Sequence, residues 1–460
     1  MLKTAFAPLT LAVLLAGCAV TAQQPPAEPV PPASFKGSAE WQRVPADAAV
    51  PEAWWTMFKD PVLDGLQADL VVGNQNLAAS LAQVASARAV LTASGAAIWP
   101  TLSLGGGTTR SASESAGKRT VSNSDSLTAN AAWEIDLWGR LSEAVKVAGA
   151  NYRASQADLA ALRLSAQATL TQTYLAMRTA EAQQALLERT VAADQRVLEL
   201  TQTRYASGVV AQTDVLQART QLRSAQAQLS EMRTQRSQLE HALATLVGKL
   251  PGQFELLPSA HVPELPPVPA LVPSTLLAQR PDLAAARARQ VAAYAQIGVA
   301  DAAFFPAVDL SASGGYRGAS WSHLVSAPNL VWSLGAAVTA PLFDGGQRRL
   351  ASDQARASAD VATANYRQAV LTAFQEVEDN LVQLAESGAE LALQRDAFEA
   401  AERNLDLVLA QYRAGTVSYL NVSAAQTAAL SAEGGLLTSR NRQLAAANLL
   451  LKSLGGRLPQ

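Results

Sequence analysis

Ala168-Thr169-Leu170-Thr171-Gln172-Thr173-Tyr174-Leu175-Ala176-Met177 lies in the middle of the stretch that decides the fold, about Leu141 to Tyr205. It runs into Arg204-Tyr205-Ala206-Ser207-Gly208. The stretch has no proline, its only glycine, Gly149, falls in its first turns, and Leu170, Tyr174, Met177, Leu187, Val191, Leu198 and Tyr205 recur at helical spacing. A helix of that length spans about 95 Å at roughly 1.5 Å per residue. Arg163, Arg178, Glu181, Glu188, Arg189 and Asp194 interrupt it, so it is too polar to cross a bilayer. Such a helix needs a partner along its whole length. A second copy of the pattern, about Gly346 to Tyr412, supplies one: Val370, Phe374, Val377, Leu381, Leu384, Leu391, Phe398, Leu405 and Tyr412 form a coiled-coil seam. A shift of about 207 positions lays Leu170, Tyr174 and Met177 on Val377, Leu381 and Leu384, and Gly208 on Gly415, so the chain reads as two tandem copies of one long unit.

The 460 residues carry a formal charge of −2 and 16% charged side chains, with no basic stripe interleaved with aromatics, which argues against nucleic acid as a partner. At the N-terminus, Lys3 precedes an apolar run, Leu9 to Leu15, that ends in Leu15-Ala16-Gly17-Cys18 and reads as a secretion signal. Cys18 is the only cysteine, so no internal disulfide is possible. After the N-terminus no apolar run reaches the length of a membrane-spanning helix.

Ala22 to Ser34 holds five prolines and reads as an extended tether. Asp60 is placed to cap a helix with Pro61 at its first position, running to Ile98. Trp99-Pro100 stops it. Leu102 and Leu104 then alternate with Thr101 and Ser103. A Gly/Ser/Thr-rich stretch, Gly105 to Ser124, reads as a loop, after which Leu127, Ala129, Ala131, Trp133, Ile135 and Leu137 alternate with Ser126, Thr128, Asn130, Glu134 and Asp136. The second copy follows suit: Phe305-Pro306 ends a helix, Val308 to Ser313 alternates, and Leu330 to Thr339 alternates again. Each chain thus carries four strands with one apolar and one polar face. Four strands cannot close around a lumen, so several chains must contribute if they form a membrane barrel. Between the copies, Leu250 to Pro273 holds seven prolines, either loose or packed as a belt around the helices. The belt is favoured because Phe254, Leu256, Leu257 and Val262 would otherwise be exposed.

Leu15-Ala16-Gly17-Cys18, Trp54-Trp55 to Leu63, Leu137-Trp138-Gly139-Arg140, Arg280-Pro281-Asp282-Leu283, Phe305-Pro306, Pro341-Leu342-Phe343-Asp344-Gly345-Gly346 and the paired Tyr-x-x-Gly turns together resemble the TolC family of outer-membrane efflux proteins, in its NodT-type lipoprotein branch. The resemblance implies a mostly α protein with a membrane β-barrel: a homotrimer with a 12-stranded barrel and a long periplasmic α-helical barrel. It implies the divisions 1–17 lipoprotein signal, 18–60 lipidated tether and equatorial segment, 61–250 first repeat, 251–273 equatorial connector, 274–455 second repeat and 456–460 tail. Lipidation of Cys18 and Ala19 beside it imply anchoring at the outer membrane.

The implied function is a passive duct of a tripartite efflux system, working with a periplasmic adaptor protein and an inner-membrane RND transporter. A type I protein-secretion channel and a non-channel coiled-coil lipoprotein are the alternatives. The turns Arg204 to Asp214 and Gln411 to Asn421 would form the far tips. Gly208 and Gly415 suit the left-handed residue that ends a helix, and Asp214 and Asn421 can cap the returning helices. Arg204, Tyr205, Gly208, Asp214, Gly415 and Asn421 are the candidates for adaptor docking, and Tyr412, Arg413 and Leu420 for the periplasmic aperture. Relatives often carry Asp-Ala-Gln-Arg where this chain has Ala424-Ala425-Gln426-Thr427, so the family's charged latch is not expected here. No catalytic site, cofactor or metal is expected, because His241, His261 and His323 are scattered and Glu376, Glu378 and Asp379 read as a solvated helix face. Radiolabelled palmitate should enter the wild-type protein and fail to enter Cys18→Ala; label in the variant contradicts the anchor assignment.

Overall fold

The computed structural model describes residues 24–26, 51–115, 117–259, 261–268 and 280–455. Cys18, most of the proline-rich tether, the end of the connector and the C-terminal tail lie outside them. The elements are α1 (Pro61–Gly73), α2 (Gln75–Ala96), β1 (Thr101–Ser115), β2 (Lys118–Glu134), α3 (Arg140–Ala206), α4 (Gln212–Leu246), α5 (Pro281–Ala302), β3 (Ala307–Gly318), β4 (Leu330–Thr339), α6 (Gln347–Ala414) and α7 (Tyr419–Gly455). The two helices expected at about 141–205 and 346–412 are α3, of 67 residues, and α6, of 68. The described residues form two compact units, to both of which α3 and α6 contribute: one with residues 24–26, 82–156 and 285–368, the other with residues from 51–81, 157–284 and 369–455.

The first unit contains one four-stranded antiparallel sheet in the order β1-β2-β3-β4. Its register sorts the side chains completely. Leu102 and Leu104 stand opposite Ala131 and Ala129, these opposite Ala312 and Gly314, and these opposite Leu334 and Trp332; Trp133 stands opposite Leu310. One face is therefore apolar across all four strands. Thr101, Ser103, Asn130, Ser311, Ser313 and Ser333 share the other. The apolar face is bare within the chain: Leu102, Leu104, Leu334 and Val338 are exposed and Trp332 is 73% exposed.

The stretch Gly105 to Ser124, expected as a loop, is instead mostly strand: β1 and β2 pair from Thr101↔Ala132 out to Ser115↔Lys118. Apolar alternation, the sequence mark of a half-buried strand, is missing here. This part of the hairpin extends past the β2–β3 ladder, which ends at Asp125↔Gly318, and is polar on both faces. Its backbone ladder and cross-strand contacts such as Ser111 Oγ to Ser122 Oγ at 3.1 Å hold it. Beneath the sheet, β2 ends at Glu134, three residues before the expected limit at Leu137. Asp136 accepts from the Leu141 and Ser142 amides at 3.0 and 2.8 Å and starts α3. Asp344 plays the same part before α6, accepting from the Gly346 and Arg348 amides at 2.9 and 3.1 Å.

In the second unit Asp60 caps α1 through Val62 N and Leu63 N at 2.9 and 3.3 Å, as expected. The helix does not continue to Ile98. It breaks at Asn74, whose backbone is extended (ψ 116°) and whose Oδ1 caps α2 through the Asn76 and Leu77 amides. The break makes room for a backbone crossing. Asn74 Nδ2 donates to Leu246 O at 2.8 Å, and a Cβ on Gly73 would sit 2.1 Å from Val247 O, so only glycine fits. Leu170, Tyr174 and Met177 of α3 and Val377, Leu381 and Leu384 of α6 are buried, as the seam requires. Each such side chain contributes roughly 1.5–3 kcal/mol by area.

The connector packs as a belt over its described residues. Arg178 donates to Leu257 O at 3.1 Å, Arg236 to Leu256 O at 2.6 Å, and Arg440 to Val262 O at 3.0 Å. Val262 is buried, but Leu257 is 82% exposed, contrary to the expectation that the belt would cover it. Its carbonyl rather than its side chain faces the helices. Glu376, expected on a solvated face, holds Arg280 at 2.8 Å together with Asp282 at 2.7 Å, fixing the start of α5 against α6.

Candidate functional site

Both helix turns end in the same hydrogen-bond motif. At the first, Gly208 N donates to Tyr205 O at 2.9 Å and Val209 N to Arg204 O at 2.9 Å; at the second, Gly415 N donates to Tyr412 O at 3.0 Å and Thr416 N to Gln411 O at 3.1 Å. Gly208 and Gly415 take φ of 73° and 81°, the left-handed conformation expected of them. The caps differ from expectation. Ala211 stands just before α4 and gives it no side-chain cap, and Asp214 lies within the first turn. Asn421 lies inside α7, where its Oδ1 accepts from Ser418 Oγ at 3.3 Å, because Ser418 occupies the position before the helix.

The two tyrosines are not equivalent. Tyr412 is 1% exposed, packed with Val197, Leu198, Val215, Ala218, Leu222, Tyr419 and Val422, and its hydroxyl meets Thr201 Oγ1 at 2.9 Å. Tyr205 is 46% exposed. Arg204 ties the turns together: its guanidinium lies over the Tyr412 ring at 4.7 Å and donates to the carbonyls of Tyr412 and Arg413, each at 2.7 Å. A single arginine of the first turn thus holds the last carbonyls of α6, where the helix dipole favours a cation. Arg413 and Leu420 are exposed beside this cluster. Thr427, where a charged residue was the family expectation, donates its hydroxyl to Ser423 O within its own helix.

Next to the cluster lies a feature that the sequence showed only as a polar interruption. Asp194 of α3 is 3% exposed and accepts from Gln426 Nε2 of α7 at 2.9 Å. Its second oxygen, Oδ2, and Gln426 Oε1 have no hydrogen-bond partner among the described residues. Burial pushes the Asp194 carboxyl up to about 6. Among the described residues no group of three or more His, Cys, Asp and Glu is arranged to hold a metal, and no helix is long and apolar enough to cross a membrane.

A sheet with one bare apolar face, in a chain with helices of 67 and 68 residues, fits a class of membrane-inserted channel protein. The sequence pattern of the outer membrane efflux protein family matches residues 68–249 and 272–456, and the chain belongs to that family. It is 30% identical over 436 residues to the pyoverdine export outer membrane protein OpmQ of Pseudomonas aeruginosa, covering 91% of this chain and 90% of that one. It is 29% identical to the probable efflux pump outer membrane protein TtgC of Pseudomonas putida, covering 99% and 96%. The solved outer-membrane channel OprN superposes with a TM-score of 0.88 at 27% identity, over 96% of this chain and 100% of that one.

The raised Asp194 carboxyl makes its own contribution to the pH dependence of stability. A carboxyl raised in the folded state adds no cost below its unfolded value near 4. Through the window from about 4 to about 6 the unfolded chain ionises first, and above about 6 the full cost of burying the charge is present. Asp194→Asn should therefore raise stability by about 1–2 kcal/mol at mildly alkaline pH and have no such effect near pH ~4. Thermal melting at both values checks this; a variant less stable at alkaline pH contradicts it.

Proposed function

We propose that this protein is the outer-membrane exit duct of a tripartite efflux system, built as a homotrimer that carries small toxic compounds from an inner-membrane RND transporter and its periplasmic adaptor to the exterior. The observation that carries the reading is the sheet: four strands with one face wholly apolar and bare, and with both outer edges unpaired among the described residues. An unpaired backbone group in lipid costs several kcal/mol, so such a sheet needs other strands at its edges. Three chains supply twelve strands, enough to enclose an aqueous lumen. The long helices, taken as two tandem copies per chain with the proline-rich belt between them, then form the wall of a periplasmic cylinder. Lipid on Cys18 adds a second attachment to the membrane.

The turns are the parts that meet the adaptor and close the passage. Exposed Tyr205, Arg413 and Leu420 are available for contact, whereas buried Tyr412 acts as the pin that Arg204 and Thr201 hold. Closure in this chain relies on that pin and on the apolar Leu420, with no charged pair at 424 and 427. The transporter selects the cargo. OpmQ is named for pyoverdine, and a duct of this type imposes little selection of its own.

Purified protein in planar bilayers should show a small conductance that rises several-fold in Arg204→Ala/Tyr412→Phe. Absence of conductance in both contradicts the duct.

A further inference from the structure

The polar face of the sheet is not electrically uniform. On β3, Asp309 and Arg317 both lie on that face with Ser311 and Ser313 between them, about 27 Å apart at roughly 3.4 Å per residue. The two charges are too distant to pair. At the end of the sheet nearest the helices, Asp309 stands opposite Glu134, which sets two carboxylates side by side. Arg140 donates twice to Glu134, at 3.0 and 2.6 Å, and lies within electrostatic reach of Asp309, so one cation serves two acids. Asp309 itself is exposed and has no ion pair among the described residues.

At the far end the sign reverses. Arg317 stands opposite Ser126 and is exposed, and Lys118, further along β2, is exposed on the same face. Neither has an ion pair among the described residues. The acids of that region, Glu114 and Asp125, lie on the opposite face, where Arg110 and Arg119 accompany them. Between the two ends Thr128, Asn130 and Ser333 join the serines of β3 and carry no charge.

We propose that these side chains make the barrel a bipolar passage, with Asp309 and Glu134 drawing cations in at the helix-side mouth and Arg317 and Lys118 drawing anions in at the outer mouth. The inference rests on the duct reading, in which the polar face lines the lumen and each charge is repeated by every chain. A fixed charge acts over about 8 Å at physiological ionic strength, so rings of like charge influence much of a narrow lumen. Each ring selects the opposite ion. A voltage that is positive on the helix side drives cations in through the acidic mouth and anions in through the basic one, and the passage fills with salt. The reverse voltage empties it. Conductance is therefore greater at one polarity, and Asp309 and Arg317 are the residues that set the difference.

The test uses planar bilayers with the protein added to one side, where its long polar helices remain. Arg204→Ala/Tyr412→Phe serves as the background, so that the tips do not limit the current. Current should be about 1.5-fold or more larger with the helix side positive in about 0.1 M KCl, and symmetric in about 1 M, where screening shortens to roughly 3 Å. That comparison needs no change in the sheet. Under a salt gradient, the potassium-to-chloride permeability ratio should fall about twofold in Asp309→Asn and rise about twofold in Arg317→Gln/Lys118→Gln. Arg317→Lys should keep the original ratio. Symmetric currents at low salt, or ratios that move the same way or not at all, overturn this proposal and leave the duct standing. No conductance at all overturns the duct reading and this proposal with it.

Discussion

Backbone hydrogen bonding at the two edges of the sheet is the constraint on which the rest of the structure depends. The four strands satisfy one another internally, from β1 through to β4, but among the described residues the outer edges have no partner strand. In water such edges would be solvated; beside an apolar face with exposed Leu102, Leu104, Trp332 and Leu334, they have no water to turn to. The polar opposite face, with Ser103, Asn130, Ser313 and Ser333, fits a lumen. A barrel shared between chains answers all three requirements together.

The helical part meets a different requirement, since helices this long must be held along their length. Apolar seams do part of it. Buried charge does the rest: Arg178 pairs with Glu181 at 2.7 Å, and Arg236 meets Glu181 at 3.2 Å and also pairs with Glu240. The same groups bind the carbonyls of Leu256 and Leu257 and the amide of Ser259, so the proline-rich belt is clamped by its backbone. Removing one member would leave an uncompensated buried charge, which is far more disruptive than the loss of a surface pair. Tyr174 adds to this network, donating its hydroxyl to Asp60 at 2.6 Å and accepting from Arg178 Nε at 3.0 Å, and thereby ties the cap of α1 to α3.

Much of this was legible in the sequence. The seams of α3 and α6 announce themselves because a repeated apolar spacing has few other uses, and the alternation in Leu127 to Trp133 and Leu330 to Val338 marks strands because one face is apolar and the other polar. The outer β1–β2 hairpin was not legible, since Ser and Thr on both faces leave no alternation to read. Nor was the break at Asn74, which depends on the close approach of Gly73 to Val247, residues distant in sequence. At the turns, Gly208 and Gly415 were legible from chain geometry. The division of labour between Tyr205 and Tyr412 was not, because burial there is decided by Arg204 and by the packing of α4 and α7. Asp194 looked like any charge on a helix; only its placement against Gln426 distinguishes it.

The central claim is that β1 of one chain pairs with β4 of another until three chains close the barrel. Cysteines on the shared polar face test it: Ser103→Cys on β1 combined in turn with Ser333→Cys, Gly335→Cys and Ala337→Cys on β4, oxidised in intact outer membranes and resolved without reductant. At least one register should yield a covalent species of three chains. Single chains at every register, or ladders that continue past three, would contradict it.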